Sequence, residues 1–564
     1  MAHARAVTSG APPRAGGSAT RSPRKAPVVA PPQTARGLGL ALLGLAPIGF
    51  LVVFFAWPVL AIIGRGFAAG GLDVVLGDAR TWQLAGFTVA SAAASTLVAV
   101  LAGLPVAFLL ARVKLPGVGL ARTLVLVPFV LPTVVVGLAF RALWPDGGVL
   151  PIVLANAFFN VAVVARTVAG LWARLDSRTT DAARALGASP WRAFRSVTLP
   201  ALAPAIASAA AVVFLFCATS FGVVLILGGA KYRTLETEIY LRTVDLLDLS
   251  GAAALSLIQF AAVVAALVLG GLARRRKDGA RIGAANSRRP RGSEWPVVGA
   301  AGVVLALLLT PIVALLVESV STSDGWSFAG YRALTSTGEK GALQVSGWDA
   351  ALNSLKVAID ATLLAMVVGV LASVVLVALR RSPAKAARGL GETMDAVLML
   401  PLGVSAVTVG FGYLVTLDAL PGDLRTSPYL VPLAQALVII PLIVRMVLPV
   451  LRSVDVRLRQ AASTLGASPL RVWREIDLPL ALRPLVAAAG FGFVVALGEF
   501  GATSFLARPT APTLPVAIAS LMGRPGELNN QMAYAACALL MLVTVLAVAL
   551  IDRLGAARGR VGEF

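Results

Sequence analysis

The chain has 564 residues, 58% of them apolar and 13% charged, about half the ~25% charged content of an ordinary soluble domain. That composition excludes a soluble globular protein and a disordered chain. The 49 Lys and Arg against 27 Asp and Glu give a net charge of +22. A nucleic-acid binder gathers such charge on one soluble face, but here it lies in short segments between apolar runs, so no nucleic-acid partner is expected. Two cysteines, Cys217 and Cys537, and the single His3 exclude a disulfide framework, a zinc site and His-based acid–base chemistry.

Residues 1–36 carry Arg5, Arg14, Arg21, Arg24, Lys25 and Arg36 with no acid and read as a disordered, basic cytoplasmic tail. The apolar run that follows is too long for a cleaved signal peptide. A membrane-crossing helix needs about 20 apolar residues, and open sheets cannot satisfy their backbone in lipid. With charged and Pro/Gly breaks as punctuation, spans fall near 37–64, 84–111, 119–142, 148–172, 199–228 and 250–272. A second set falls near 296–317, 351–379, 394–416, 428–450, 480–507 and 532–551.

Charge asymmetry supports this count, because short cytoplasmic loops hold the excess of Lys and Arg. The segment after the sixth span carries Arg274, Arg275, Arg276, Lys277, Arg281, Arg288, Arg289 and Arg291 against Asp278 and Glu294, whereas residues 229–249 hold three basic residues and four acids. The expected protein is an all-α polytopic membrane protein of about 12 transmembrane helices with both termini cytoplasmic. Its first transmembrane domain covers 37–272, a basic cytoplasmic linker 273–294, and the second domain 295–556.

An internal repeat fixes the architecture further. Residues 181–200 and 460–479 align without gaps at an offset of 279 and agree at 11 of 20 positions. The same offset carries Arg166 onto Arg445, Phe221 onto Phe500, Gly222 onto Gly501, and Thr234-Leu235 onto Thr513-Leu514. Six spans per unit is an even number, so the halves run parallel and both repeated segments face the cytoplasm. In each, an acid-Ala-Ala-type start (Asp181 in one copy, Gln460 in the other) opens a short helix that ends near Gly187 or Gly466. Ala-Ser-Pro restarts a second helix, since Gly suits a C-terminal cap and Pro a first turn.

This spacing resembles the signature of the membrane subunits of bacterial ABC importers, in the type I permease fold. Asp181, Ala182, Ala183, Gly187, Val197, Leu199 and Pro200 fit it in the first half, and Gln460, Ala461, Ala462, Gly466, Ile476, Leu478 and Pro479 in the second. The resemblance implies that these segments are coupling helices docking on two ATPase subunits, and that a solute-binding protein delivers substrate from outside. ATP and Mg would be bound by the ATPase subunits, since the chain has no G-x-x-x-x-G-K-[ST] of its own and no catalytic constellation. The usual Glu is Asp in one copy and Gln in the other.

The fusion of two units, with CATSFGVVLILGGAKYRTLETEIY after the fifth span, is similar to the fused permeases of thiamine importers and the related fused ferric-iron permeases. The resemblance implies import of a small cationic solute, thiamine before ferric iron. A thiamine cation would be suited by aromatic faces and a carboxylate. Glu499 stands in VVALGEFGATSFL between Gly498 and Gly501, and a central acid in a span is costly unless it meets a cavity or a partner. Two readings stay open: it faces the path, with Phe221 and Phe500 as stacking walls and Ser220 as its counterpart, or it bonds backbone freed at the glycines. The stretches Thr234 to Thr243 and Thr513 to Met522 read as short helices dipping back beside the path, with a plain extracellular loop as the alternative. The alternative class is a secondary transporter with parallel repeats, which would place ionisable residues in several spans. Arg166, Arg445, Lys356 and Asp360 are the further candidates, the last two one helical turn apart and able to pair.

Overall fold

Small residues decide how the longest helices pack. In a computed structural model describing residues 43–68, 71–274, 287–323, 325–382, 384–416 and 427–557, Ala79–Arg112 lies along Val149–Trp172, and Gly347–Arg381 lies along Leu430–Ser453. Ala92, Ala99, Gly103 and Ala107 form a buried stripe on the first of these helices, and Ala358, Ala361, Ala365, Gly369 and Ala372 form one on its counterpart. Without side chains to hold them apart, such helices approach closely enough for dispersion to replace the missing hydrophobic drive in lipid. The expected tail over 1–36 and residues 275–286 of the linker lie outside the described residues.

Ten helices among the described residues are long and apolar enough to cross a membrane, and two bent helix pairs bring the count to twelve. The bent pairs correct the expectation of unbroken spans at 119–142 and 394–416. Val118–Val130 turns by 101° into Thr133–Leu143, and Lys385–Gly403 turns by 97° into Ala406–Thr416. The first break falls where Pro132 forces the preceding Leu131 into extended backbone. The second follows a short 3-10 turn over Leu400–Gly403 that contains Pro401.

The expected spans 199–228 and 480–507 are also interrupted. Their long helices stop at Ala218 and Gly498, and short helices resume at Gly222–Gly228 and Thr503–Leu506. The breaks therefore fall at Ser220 and Glu499, positions related by the repeat. At their N-terminal ends these spans run without interruption from the repeated segments through π-turns, Phe194–Thr198 and Trp473–Asp477. Each wide turn sits just ahead of a proline, Pro200 or Pro479, whose ring does not fit a regular α-turn.

The two halves interlock. Trp57–Phe67 of the first span packs on Ala406–Thr416 of the second half, and Trp295–Glu318, its equivalent, packs on Thr133–Leu143 of the first. The expected dipping helices form as Leu235–Val244 and Leu514–Met522, both largely buried and each packed on the final span of its own half, Leu249–Arg274 and Glu527–Ala557. Lys356 and Asp360 do not pair as their spacing allowed; Lys356 is exposed on the surface of its helix. Arg166 is exposed as well, and Arg445 donates from Nε to the Met399 sulfur at 3.0 Å.

Candidate functional site

The repeated segments fold as paired short helices whose caps are written in the sequence. The first helix of each pair runs over Ser177–Ala185 and Val456–Thr464, capped by Asp176 and Asp455, whose carboxylates accept from the N–H two residues on at 2.9 Å. This corrects the expected start at Asp181: Asp181, Ala182, Ala183 and their counterparts Gln460, Ala461, Ala462 lie inside the helix. Gly187 and Gly466 end it at φ +89° and +85°, a left-handed turn that costs roughly 1–2 kcal/mol for a residue with a Cβ. The second helix restarts at Pro190 and Pro469, with Ser189 and Ser468 accepting from the N–H of Arg192 and Arg471.

One pair of positions ties the two arms in both copies by different chemistry. Thr180 and Thr198 hydroxyls meet at 3.4 Å in the first, while Arg459 grips Asp477 at 2.6 Å in the second. At the turn and just beyond it the segments leave apolar side chains exposed. Leu186 is 90% exposed and Leu465 87%, and Trp191 and Leu470, also related by the repeat, are 67% and 75% exposed. Four large apolar groups at the tips of two charged segments are thus left unpacked by the chain itself.

The linker between the halves makes the two segments unequal. Arg288 pairs with the loop after the second span, exchanging backbone bonds with Arg112 and Lys114 at 2.9 Å, and Arg291 reaches Asp181 at 3.0 Å. Between this strap, the second span and the first repeated segment lies a cavity of about 960 Å³ bordered by Phe108, Trp172, Trp191 and Phe194.

At the centre of the molecule the interruptions of spans three, five, nine and eleven converge. Gly410 of span nine lies so close to the break in span eleven that a Cβ there would come within 2.8 Å of the Ala502 backbone. Phe221 and Phe500, equivalent residues of the two halves, stack on each other at 5.3 Å between centroids, with ring planes 22° apart. Tyr240 continues the row against Phe221 at 5.2 Å and meets Phe505 edge-on at 5.3 Å. Four rings, two from each half, thus join the halves at their junction. Each ring contact adds about 0.5–1.5 kcal/mol beyond the area it buries.

An amide side chain on the neighbouring span tethers each break. Ser220 donates to Asn156 at 2.7 Å, and Gln435 donates to Thr503 at 3.2 Å. Glu499 turns its carboxylate into its own chain, accepting from the N–H of Ala502 at 2.7 Å, the N–H of Thr503 at 3.1 Å and the Thr503 hydroxyl. Of the two readings open for this residue, the geometry has the form of the second: the carboxylate satisfies donors freed where the helix stops. Phe221 and Phe500 meet each other, and Ser220 and Glu499 flank that stack in sequence.

Several residues of these sites carry little mark in the sequence pattern. Leu186 and Leu465 stand in both copies of the repeat immediately before the glycine, and that recurrence is their signal. Glu236 stands in the dipping helix as one acid among several; it is wholly buried and bonded to Gln259 and Ser405. Ser405 has no signal before the helix break beside it is seen.

Comparison with known proteins supplies the context. The family of binding-protein-dependent transport system inner membrane components matches residues 99–278 and 365–560. The thiamine transport system permease protein ThiP of Brucella abortus is 27% identical over 96% of this chain and 99% of its own length. The protein of that name from Escherichia coli is 25% identical over 85% and 90%. A putative 2-aminoethylphosphonate transport system permease protein PhnV of Salmonella typhimurium is 30% identical over 42% of this chain and 85% of its own.

Proposed function

The chain belongs to the binding-protein-dependent transport system inner membrane components, and from that premise we propose that it is the complete transmembrane part of a thiamine importer. Its two halves do the work of a permease pair. The observation that carries the substrate is end-to-end similarity, over 96% of this chain, to a protein named as a thiamine permease. The aromatic row Phe500, Phe221, Tyr240 and Phe505 supports it, since a flat aromatic cation finds stacking faces there.

In this reading the exposed tips at Leu186 and Leu465 dock into two ATP-binding-cassette subunits, which bind ATP and Mg on the cytoplasmic side. A solute-binding protein delivers thiamine from the other side, and both termini of the chain are cytoplasmic. Closure of the ATPase pair draws Ser177–Ala185 and Val456–Thr464 together. Because spans five and eleven run without interruption through the π-turns from the second short helix of each segment, Pro190–Ala193 and Pro469–Val472, the motion arrives at Ser220 and Glu499, where the helices break, and separates Phe221 from Phe500. The coupling set is then Asp181, Ala182, Ala183, Gly187, Gln460, Ala461, Ala462 and Gly466, with Ser220, Phe221, Glu499 and Phe500 bordering the pathway.

The test is uptake in cells that can neither make nor import thiamine. Co-expression of this chain with its ATPase and binding protein should restore accumulation of labelled thiamine, and omission of the ATPase should abolish it. Restored uptake of ferric iron with none of thiamine would transfer the assignment to the iron permeases.

A further inference from the structure

Among the described residues three glutamates are buried, and their partners differ in kind. Glu238 is met by arginines, Arg233 and Arg242 each at 3.4 Å and Arg80 at 3.9 Å. Glu499 is bound within its own turn, two of its donors being backbone N–H groups. Glu236, 0% exposed, is held by two neutral side chains, Gln259 Nε2 at 3.1 Å on one oxygen and Ser405 Oγ at 2.9 Å on the other.

The two bonds to Glu236 differ in where they come from. Gln259 belongs to the same half of the chain, on the span that packs against the dipping helix. Ser405 belongs to the other half and stands at the interruption of span nine, where it also accepts from the N–H of Thr408 at 3.0 Å. Beside the carboxylate, the Gln259 Oε1 atom is buried without a hydrogen-bond partner. At a boundary that must open for anything to pass, the carboxylate thus takes one of its two donors, Ser405, from across the boundary, and the Gln259 oxygen beside it takes none. An acceptor left unpaired in a buried site is unfavourable, and more so when charged, so such a spot attracts a cation that carries N–H donors.

We propose that Glu236 is the carboxylate that takes the positive charge of the passing solute when the halves part, and that Ser405 displaces the solute from it when they close. Parting withdraws the Ser405 hydroxyl and leaves Glu236 and the Gln259 oxygen facing the gap. Closure returns the hydroxyl, so solute and Ser405 compete for one oxygen and occupancy alternates with the motion. Tyr240, one helical turn beyond Glu236 on the same dipping helix, sets an aromatic face beside that position. This assignment rests on the importer reading, and it moves the charge-selecting role from Glu499, whose oxygens are engaged in its own turn, to Glu236.

The test has two arms, in liposomes holding the full permease with its ATPase and binding protein. In the first, thiamine uptake is measured. Glu236→Gln keeps the shape and should raise KM at least tenfold, Glu236→Asp should recover part of the loss, and Ser405→Ala, which removes the hydroxyl that competes with the solute, should lower KM several-fold while raising ATP hydrolysis without substrate. In the second arm, Ser405→Cys, in a background with Cys217→Ala and Cys537→Ala, is exposed to cationic and anionic methanethiosulfonates during turnover. With Glu236 present the cationic reagent should react about tenfold faster than the anionic one, and Glu236→Gln should remove that preference. Equal reactivity towards both reagents with Glu236 present would overturn the proposal, as would equal losses in Glu236→Asp and Glu236→Gln. If thiamine is not moved by the parent assembly and the cation preference persists, the substrate reading falls and the assignment of Glu236 stands.

Discussion

Aspartate at both Leu186 and Leu465 is expected to abolish co-purification of the ATPase with the permease and to stop transport, while the permease itself stays folded in the membrane. Each leucine is about nine-tenths exposed, so in the free chain it contributes almost nothing to internal packing. Once covered by a partner it gains about 1.5–3 kcal/mol, and an aspartate in its place would instead have to be desolvated. Over two sites the loss exceeds about 3 kcal/mol, more than a hundredfold in affinity. A single substitution should leave partial binding, because the remaining segment still holds an ATPase pair locally. Pull-down from detergent extracts checks the first outcome, and unchanged thermal unfolding of the isolated permease checks the second. Undiminished co-purification of the doubly substituted chain would show that the ATPase docks elsewhere.

Glu499→Ala is expected to lower stability by about 2–5 kcal/mol, because it strands the buried N–H groups of Ala502 and Thr503 and the Thr503 hydroxyl, and each stranded donor costs about 1–3 kcal/mol. Glu499→Gln should cost about half as much, since its amide oxygen still accepts from Ala502 and its amide nitrogen can donate to the Thr503 hydroxyl. The turn at the break also holds Ala502 against Gly410 of the ninth span, so loosening it frees the junction of the halves. Unfolding followed in detergent gives the difference. Unaltered unfolding of Glu499→Ala together with lost uptake would return Glu499 to the role of a charge facing the path.

The architecture was legible because its signals are long and repeated. Twelve apolar runs and the 279-residue offset fix helices and parallel halves, and that offset carries Ser177–Ala185 onto Val456–Thr464 and the start of Leu235–Val244 onto the start of Leu514–Met522. The left-handed turns at Gly187 and Gly466 and the restarts at Pro190 and Pro469 followed from residue type alone. The interruptions were hidden, because a single Pro132 or Ser405 inside a long apolar run does not lower the run's mean hydropathy enough to divide it, while the chain's direction turns there by about a right angle. The start of Ser177–Ala185 was misplaced for a similar reason: Asp176, five residues before Asp181, is the better cap, and only the backbone shows which acid accepts the freed N–H. Glu236 could not be told from Glu238 two residues away until the arginines around one and the neutral partners of the other were in place.

The measurement that bears most directly on the account is ATP hydrolysis by the permease, its ATPase and its binding protein reconstituted together in liposomes. Binding protein loaded with thiamine should raise hydrolysis several-fold over empty binding protein, and binding protein offered ferric iron should leave it at the empty level. Stimulation by iron and none by thiamine would contradict the substrate, and hydrolysis indifferent to the binding protein would contradict the importer reading itself.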